Sequence, residues 1–270
     1  MPTAALDGIE LPYQDTGTGP PVVLVMGTGS TGRAWHLHQV PALVDAGYRA
    51  VTFDNRGLPP NETPPGGVTF ATMAEDTARL IEHLDLGPCR IVGHSMGVNI
   101  VAQLLLTRPE LATQAVLVAG RARVDPFGAA LNRAERDLYD QRVQLPDSYR
   151  AMVTALRNLA PATLRDPEAV RNWLEVFMYS PQPTGPGPRA QLDLDDHEDL
   201  RPAYAAITTP ALCVGFADDL VVPPGATREL ADTLPAARYT EINDCGHFGY
   251  LERPTEVNAA MLDFFDGCEA

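Results

Sequence analysis

Six short apolar runs, most of them separated by a stretch of helical periodicity, constrain this chain more than any other feature. They occupy residues 22–26, 49–53, 89–93, 114–119, 211–215 and 237–242. Continuous apolar runs suit strands buried on both faces, and their alternation with helices implies an α/β fold with a mainly parallel sheet covered on both sides. Phe70, Met73, Thr77, Leu80, Ile81 and Leu84 share one helical face, with Thr72 and Glu75 spaced as a capping box and Gly87 as a stop. Val98, Val101, Leu104 and Leu105 repeat that spacing up to Pro109. Pro254 suits the first turn of a last helix, whose buried stripe is Val257, Met261, Phe264 and Phe265.

The rhythm breaks between about residues 121 and 209. Three helical patterns (133–145, 148–160 and 167–179) follow one another without a strand, and then comes "SPQPTGPGP" at 180–188. Its prolines and glycines predict a hinge or surface strap and no helix. The expected organisation is a core of residues 1–120 and 208–270 with a helical cap inserted at 121–207. A chain of 270 residues is long enough for one such domain.

Composition narrows the function. A net charge of −15 argues against nucleic-acid and anionic-membrane partners, which need clustered cations, and leaves a small molecule as the expected partner. All twenty cations are arginine, so Schiff-base chemistry and a phosphate-loop lysine are excluded. Cys89, Cys213, Cys245 and Cys268 lack zinc-type or redox spacing, and the reading calls for no metal and no cofactor. The N-terminus has no basic region followed by an apolar stretch, and no apolar run reaches the length of a membrane span, so a cytoplasmic protein is expected.

The chemistry is concentrated in "VGHSMGVN", residues 92–99. A sharp turn from strand to helix strains the turning residue, and Gly93 and Gly97 let neighbouring backbone come close. Ser95 then projects from the tip, with helix N–H groups and the positive dipole end beneath it.

A serine hydroxyl needs a base, and the base needs an orienting group. His247, in a loop between the last apolar run and the final helix, can return to the sheet edge that carries Ser95. His94 adjoins the serine and should point away from it. His36, His38 and His83 suit surface or half-buried roles, and His197 sits in the acidic run 193–200, which reads as a solvated helix face. The orienting carboxylate belongs after the run at 211–215, where Asp218 and Asp219 stand side by side. Asp125 is a lesser substitute.

With "VMGTGSTG" (25–32), "FDNRG" (53–57), "GHSMG" (93–97), the acid loop and "GHFGYLERP" (246–254) in that order, the sequence resembles the α/β-hydrolase superfamily over essentially its whole length. The resemblance implies a sheet of about eight strands whose first pair includes an antiparallel partner, and a helical cap over the site. It favours Asp219 over Asp218, because the family's acid commonly lies four residues before a proline, here Pro223. It also implies an oxyanion hole built from the backbone N–H groups of Met96 and Thr28. Two departures stand out: Met26 precedes Gly27 where many relatives have histidine, and "LPPNE" (58–62) replaces the usual glycine and serine after the "RG".

The expected reaction is hydrolysis of an ester or thioester of a small, largely apolar substrate through an acyl-enzyme on Ser95. The same groups also serve elimination or carbon–carbon cleavage in natural-product tailoring, such as that of polyketides, and a triad-bearing ligand receptor is a further alternative. The aromatics Tyr139, Tyr149, Trp173, Phe177 and Tyr179 are candidates to line a substrate pocket in the cap.

Overall fold

The computed structural model describes residues 2–6, 8–61, 64, 67–180, 185–194 and 198–267. Its strands are β1 (Thr3–Leu6), β2 (Ile9–Thr16), β3 (Pro21–Val25), β4 (Arg49–Phe53), β5 (Cys89–His94), β6 (Ala112–Val118), β7 (Ala211–Phe216) and β8 (Ala237–Ile242). They form one eight-stranded sheet in the order β1-β2-β4-β3-β5-β6-β7-β8. β1 and β2 pair antiparallel with each other, β2 pairs antiparallel with β4, and every other pairing is parallel.

Helices α1 (Gln39–Asp45), α2 (Phe70–His83) and α3 (Met96–Thr107) serve the first half of the sheet. Between β6 and β7 come α4 (Pro126–Asp140), α5 (Asp147–Asn158), α6 (Pro161–Arg165), α7 (Pro167–Tyr179), α8 (Pro186–Leu194) and α9 (Arg201–Tyr204), and the chain closes with α10 (Pro224–Thr233), α11 (Gly249–Glu252) and α12 (Pro254–Asp266). No helix among the described residues is long and apolar enough to cross a membrane.

Alternation along the central strands splits the core into two layers. Val23, Val25, Ile91 and Leu117 face a layer with Leu80 of α2, Leu104 of α3 and Leu230 of α10. Val22, Leu24, Val92 and Val116 face Leu43 of α1 and the α12 stripe of Val257, Met261, Phe264 and Phe265. Each such buried side chain contributes about 1.5–3 kcal/mol of transfer free energy, so α12 is held by its stripe and not by its propensity. A third, smaller cluster of Ala151, Ala155, Leu159 and Phe177 joins α5 to α7.

Two local expectations are corrected. The capping box of α2 is Thr69 with Thr72: Thr69 Oγ1 accepts the Thr72 N–H at 3.1 Å and Thr72 Oγ1 accepts the Thr69 N–H at 3.0 Å. Threonine can play the N3 part because its hydroxyl reaches back as glutamate does, which places the box three residues earlier than Thr72 with Glu75. The second correction concerns the proline-rich run, whose residues 186–188 open α8. A proline in the first turn gives up an N–H that has no intrahelical partner there, so Pro186 and Pro188 start a helix they could not continue. Residues 181–184 of that run lie outside the described residues.

The segment at 53–57 holds the glycine-rich turn in place. Phe53 is core, Asp54 Oδ1 accepts the Gly32 N–H at 2.8 Å, and Asn55 Nδ2 donates to the Met26 carbonyl at 2.8 Å. Arg56 makes a buried two-pronged ion pair with Asp76, at 2.5 and 2.6 Å, and donates to the Gly67 carbonyl at 2.8 Å. A methyl group at Gly32 would lie 2.7 Å from the Phe53 carbonyl oxygen, so the turn packs against the end of β4 only because that side chain is missing.

Candidate active site

β5 ends in a turn whose geometry explains its composition. Ser95 has φ 55° and ψ −122°, a conformation that costs a non-glycine residue roughly 1–3 kcal/mol and is held by bonds on either side. Its N–H donates to the Val118 carbonyl at 2.9 Å, and its own carbonyl accepts the Val98 N–H at 2.9 Å. A methyl group at Gly93 would lie 2.6 Å from the Gly97 carbonyl oxygen, and one at Gly97 would overlap the Val25 carbonyl. The two glycines therefore let β5, α3 and the end of β3 meet, and the strand delivers the Ser95 hydroxyl to the start of α3.

The loop after β8 brings in His247. Its Nε2 lies 3.0 Å from Ser95 Oγ, and its Nδ1 lies 2.7 Å from Asp219 Oδ2. Because the carboxylate can only accept, Nδ1 carries the proton and Nε2 is left to accept from the serine O–H. Asp219 follows β7 with its side chain fully buried, and its other oxygen accepts the N–H groups of Val221 and Val222 at 2.7 and 2.9 Å. Asp218 makes no such contact; its N–H donates to the Cys245 carbonyl at 3.1 Å.

Beneath His247, the buried His94 donates from Nε2 to the His247 carbonyl at 3.1 Å. Burial first, and the neighbouring His247 second, push the His94 imidazole down to about 3, so it stays neutral. Glu252 ties the same loop to the helices above. It accepts the Gly246 N–H at 2.7 Å, the Ala160 N–H at 3.0 Å and the Thr163 hydroxyl at 2.5 Å. The Phe248 N–H also donates to the Asn158 carbonyl at 3.0 Å, so α5 ends directly on the histidine loop.

Ser95 and His247 open on a cavity of about 760 Å³, within the ordinary range for small-molecule sites. The glycine-rich turn and Met96 form its floor, with Leu138, Tyr139, Val143 and Leu192 above. Met96 is the first residue of α3, so its N–H is among those a helix leaves without an intrahelical acceptor. In the turn opposite, the Gly29 N–H is taken by Gln191 Oε1 at 2.8 Å and the Ser30 N–H by the Gly27 carbonyl at 3.2 Å. Gln191 also donates to the Arg56 carbonyl at 2.7 Å, fixing α8 over that turn.

The profile of the alpha/beta hydrolase fold matches residues 20–254, most of the chain. The chain belongs to the α/β-hydrolase family. Its eight-stranded sheet is that family's fold, and the family is one of enzymes. BpoC of Mycobacterium tuberculosis H37Rv, a protein named as a non-heme bromoperoxidase, is 49% identical over 262 residues, which span 97% of this chain and all of BpoC. The BpoC crystal structure superposes with a TM-score of 0.94 over 97% of this chain and 98% of its own. RutD of Serratia proteamaculans, named as a carbamate hydrolase, is 31% identical over 94% of this chain and 93% of its own length. A thermophilic esterase from Thermogutta terrifontis, solved with malate bound, has 27% identity and a TM-score of 0.81 over 100% of this chain and 98% of its own.

Of the aromatics read from the sequence as pocket candidates, the structure brings Tyr139 alone to the cavity of this α/β-hydrolase. Phe177 is buried in the α5–α7 cluster with Trp173 stacked on it at 5.3 Å, and its ring lies 6.0 Å from that of Phe248 in the cavity wall. Tyr149 and Tyr179 are exposed. Helical spacing gives a shared face but not whether that face turns to a neighbouring helix, to solvent or to a cavity. Asp125 caps α4 by accepting the Phe127 and Gly128 N–H groups at 2.8 and 3.0 Å. Burial pushes the thiols of Cys89, Cys213 and Cys245 up to about 12, which leaves them protonated at neutral pH. His197 and Cys268 lie outside the described residues.

Sequence reasoning missed Glu252, Gln191 and the supporting place of His94. Glu252 stands within "GHFGYLERP", five residues after His247, and that proximity was the available signal. Nothing local marks Gln191, whose partners lie 162 and 135 residues away.

Proposed function

We propose that this α/β-hydrolase is a serine-dependent hydrolase that cleaves an ester or thioester of a small substrate through an acyl-enzyme. The observation that carries the reading is the continuous line of short contacts Asp219–His247–Ser95 at the cavity floor, 2.7 and 3.0 Å long. His247 Nε2 takes the proton of Ser95 as Oγ adds to the substrate carbonyl, and Asp219 holds the resulting imidazolium. The main-chain N–H groups of Met96 and Thr28 donate to the oxyanion; losing one such donor typically costs about 2.7–4 kcal/mol of transition-state stabilisation. Collapse expels the alcohol or thiol, which takes the proton back from His247. Water then adds to the acyl-enzyme with His247 again as base, and the acid leaves while Ser95 regains its proton.

Residues 121–207 are read as the cap. The apolar part of the cavity, with Leu138, Val143 and Leu192 from this segment, would receive the hydrocarbon of the substrate.

The test is intact mass after exposure to a fluorophosphonate, with the adduct mapped by digestion. A single adduct on Ser95, and none in Ser95→Ala, supports the assignment; an unlabelled Ser95 in folded protein rejects it. A p-nitrophenyl ester should give a burst of about one equivalent of nitrophenol wherever deacylation limits turnover.

The name carried by BpoC favours a second acyl acceptor at the same site. Hydrogen peroxide in place of water would release a peracid, with the same bonds broken and Ser95 restored in the same way. Peracid formation from an ester and peroxide, lost in Ser95→Ala, is the discriminating measurement.

A further inference from the structure

Two arginines of this chain are buried to the same degree, each 6% exposed, and their surroundings differ in one respect. Arg56 has the carboxylate of Asp76 on two of its nitrogens and the Gly67 carbonyl on the third. Arg121 makes a single hydrogen bond from its guanidinium, to the Val221 carbonyl at 3.2 Å, and has no carboxylate within ion-pair distance among the described residues. A cation this little exposed and without a counter-ion is costly unless something neutralises it.

Arg121 lines the cavity that holds Ser95. It stands just beyond the end of β6, three residues after the Val118 carbonyl that fixes the Ser95 N–H, and its own carbonyl accepts from Asn99 Nδ2 at 3.1 Å, one turn along α3. Its backbone is therefore tied to the helix that follows the elbow. The other charges at the cavity wall do not supply the missing partner. Glu135 is already paired with Arg157, and Asp147 is paired with Arg150 at 3.1 Å. Among the described residues of the lining, three arginines (Arg121, Arg142, Arg157) stand against these two carboxylates, in a protein of net charge −15.

We propose that Arg121 is an anion subsite and that the substrate carries a carboxylate, seated on this guanidinium while its ester carbonyl lies at Ser95. The inference rests on the reading of the cavity as the substrate site and refines its apolar character: one end of the ligand is charged. A guanidinium offers two parallel N–H donors to a carboxylate, and inside a cavity that pair is little screened. The substrate class is thus a half ester of a short dicarboxylic acid, or a comparable ester with one free carboxylate.

The test uses binding, so that it does not depend on turnover. Monomethyl and dimethyl esters of succinate, glutarate and adipate are titrated calorimetrically into Ser95→Ala protein at pH 7.5. For at least one chain length the half ester should bind tenfold or more tighter than the diester, with the preference weakening as salt rises. Adding Arg121→Gln should bring the two affinities together, and adding Arg121→Lys should retain part of the preference. Equal or weaker binding of the half ester at every length overturns the proposal, as does an Arg121→Gln effect that weakens both ligands alike, the signature of a structural role. Fluorophosphonate labelling of the parent protein reports separately on the serine, so failure of the nucleophile and failure of the subsite are read in different tubes.

Discussion

The ring of His94 lies 4.9 Å from that of His247, centroid to centroid, and its Nε2 donates to the His247 carbonyl. His94 is thus a fixed neutral floor under His247. Its folded-state pKa, about 3, lies below the unfolded value of 6.5, so the unfolded chain takes up a proton that the folded one refuses. The stability this histidine contributes is present above pH 6.5 and drains away as pH falls toward 3, at about 1.4 kcal/mol per pH unit. Urea melts of wild type and His94→Gln at pH 7, 6, 5 and 4 should show a gap between the two proteins that narrows, or inverts, by that slope. Parallel curves would mean that protons reach His94 in the folded state.

Asp219→Asn should leave the loop in place, because the amide oxygen can still accept from Val221 and Val222. The amide N–H₂ cannot accept from His247 Nδ1, so the ring turns to the tautomer that donates toward Ser95. A loss of about 10⁴ in kcat with an unchanged melting temperature is expected. If Asp218→Asn gives the larger loss instead, the wrong carboxylate has been assigned.

Glu252→Gln places an amide N–H₂ where the carboxylate receives only donors, from Gly246, Ala160 and Thr163. A cost of about 1–3 kcal/mol in stability is expected, as for a half-buried charged group stripped of its bonds. Activity should fall with it, because the clamp spans the His247 loop and the end of α5. Chemical denaturation paired with esterase kinetics checks this; stability lost with kinetics intact would show that the clamp serves the fold alone.

Gly93→Ala tests the elbow without touching a reacting group. The added methyl meets the Gly97 carbonyl oxygen at 2.6 Å, backbone against backbone, and neither side can yield. A destabilisation of about 1–3 kcal/mol and slower labelling of Ser95 by a fluorophosphonate are expected. Wild-type behaviour on both counts would mean that the turn is looser than its geometry implies.

The six apolar runs were legible because strands buried on both faces need no alternation, and each run corresponds to a strand of the sheet within a few residues. The hairpin of β1 and β2 was not, since its strands mix polar and apolar residues and β2 contains Pro12. Gly8, at φ 91°, was the cue available there, as tight turns between strands favour glycine at positive φ. In the site, the serine and histidine announce themselves through glycines and loop position. Arg121 does not, because what sets it apart is a partner it lacks, and an absence of contacts has no sequence pattern. Tyr149 and Tyr179 mislead for the opposite reason: aromatic side chains look like pocket walls until the solvent side of their helix is known.

Every element from α4 to α9 is carried in one excursion between β6 and β7, which themselves lie side by side in register from Ala115 with Ala211 to Val118 with Val214. The sheet closes without that excursion, and Ser95, Asp219 and His247 all stand outside it. Natural variation can therefore lengthen, exchange or re-angle those helices wherever they overhang the chamber, while the end of α5 and Gln191 of α8 stay bound to the His247 loop and the glycine-rich turn below.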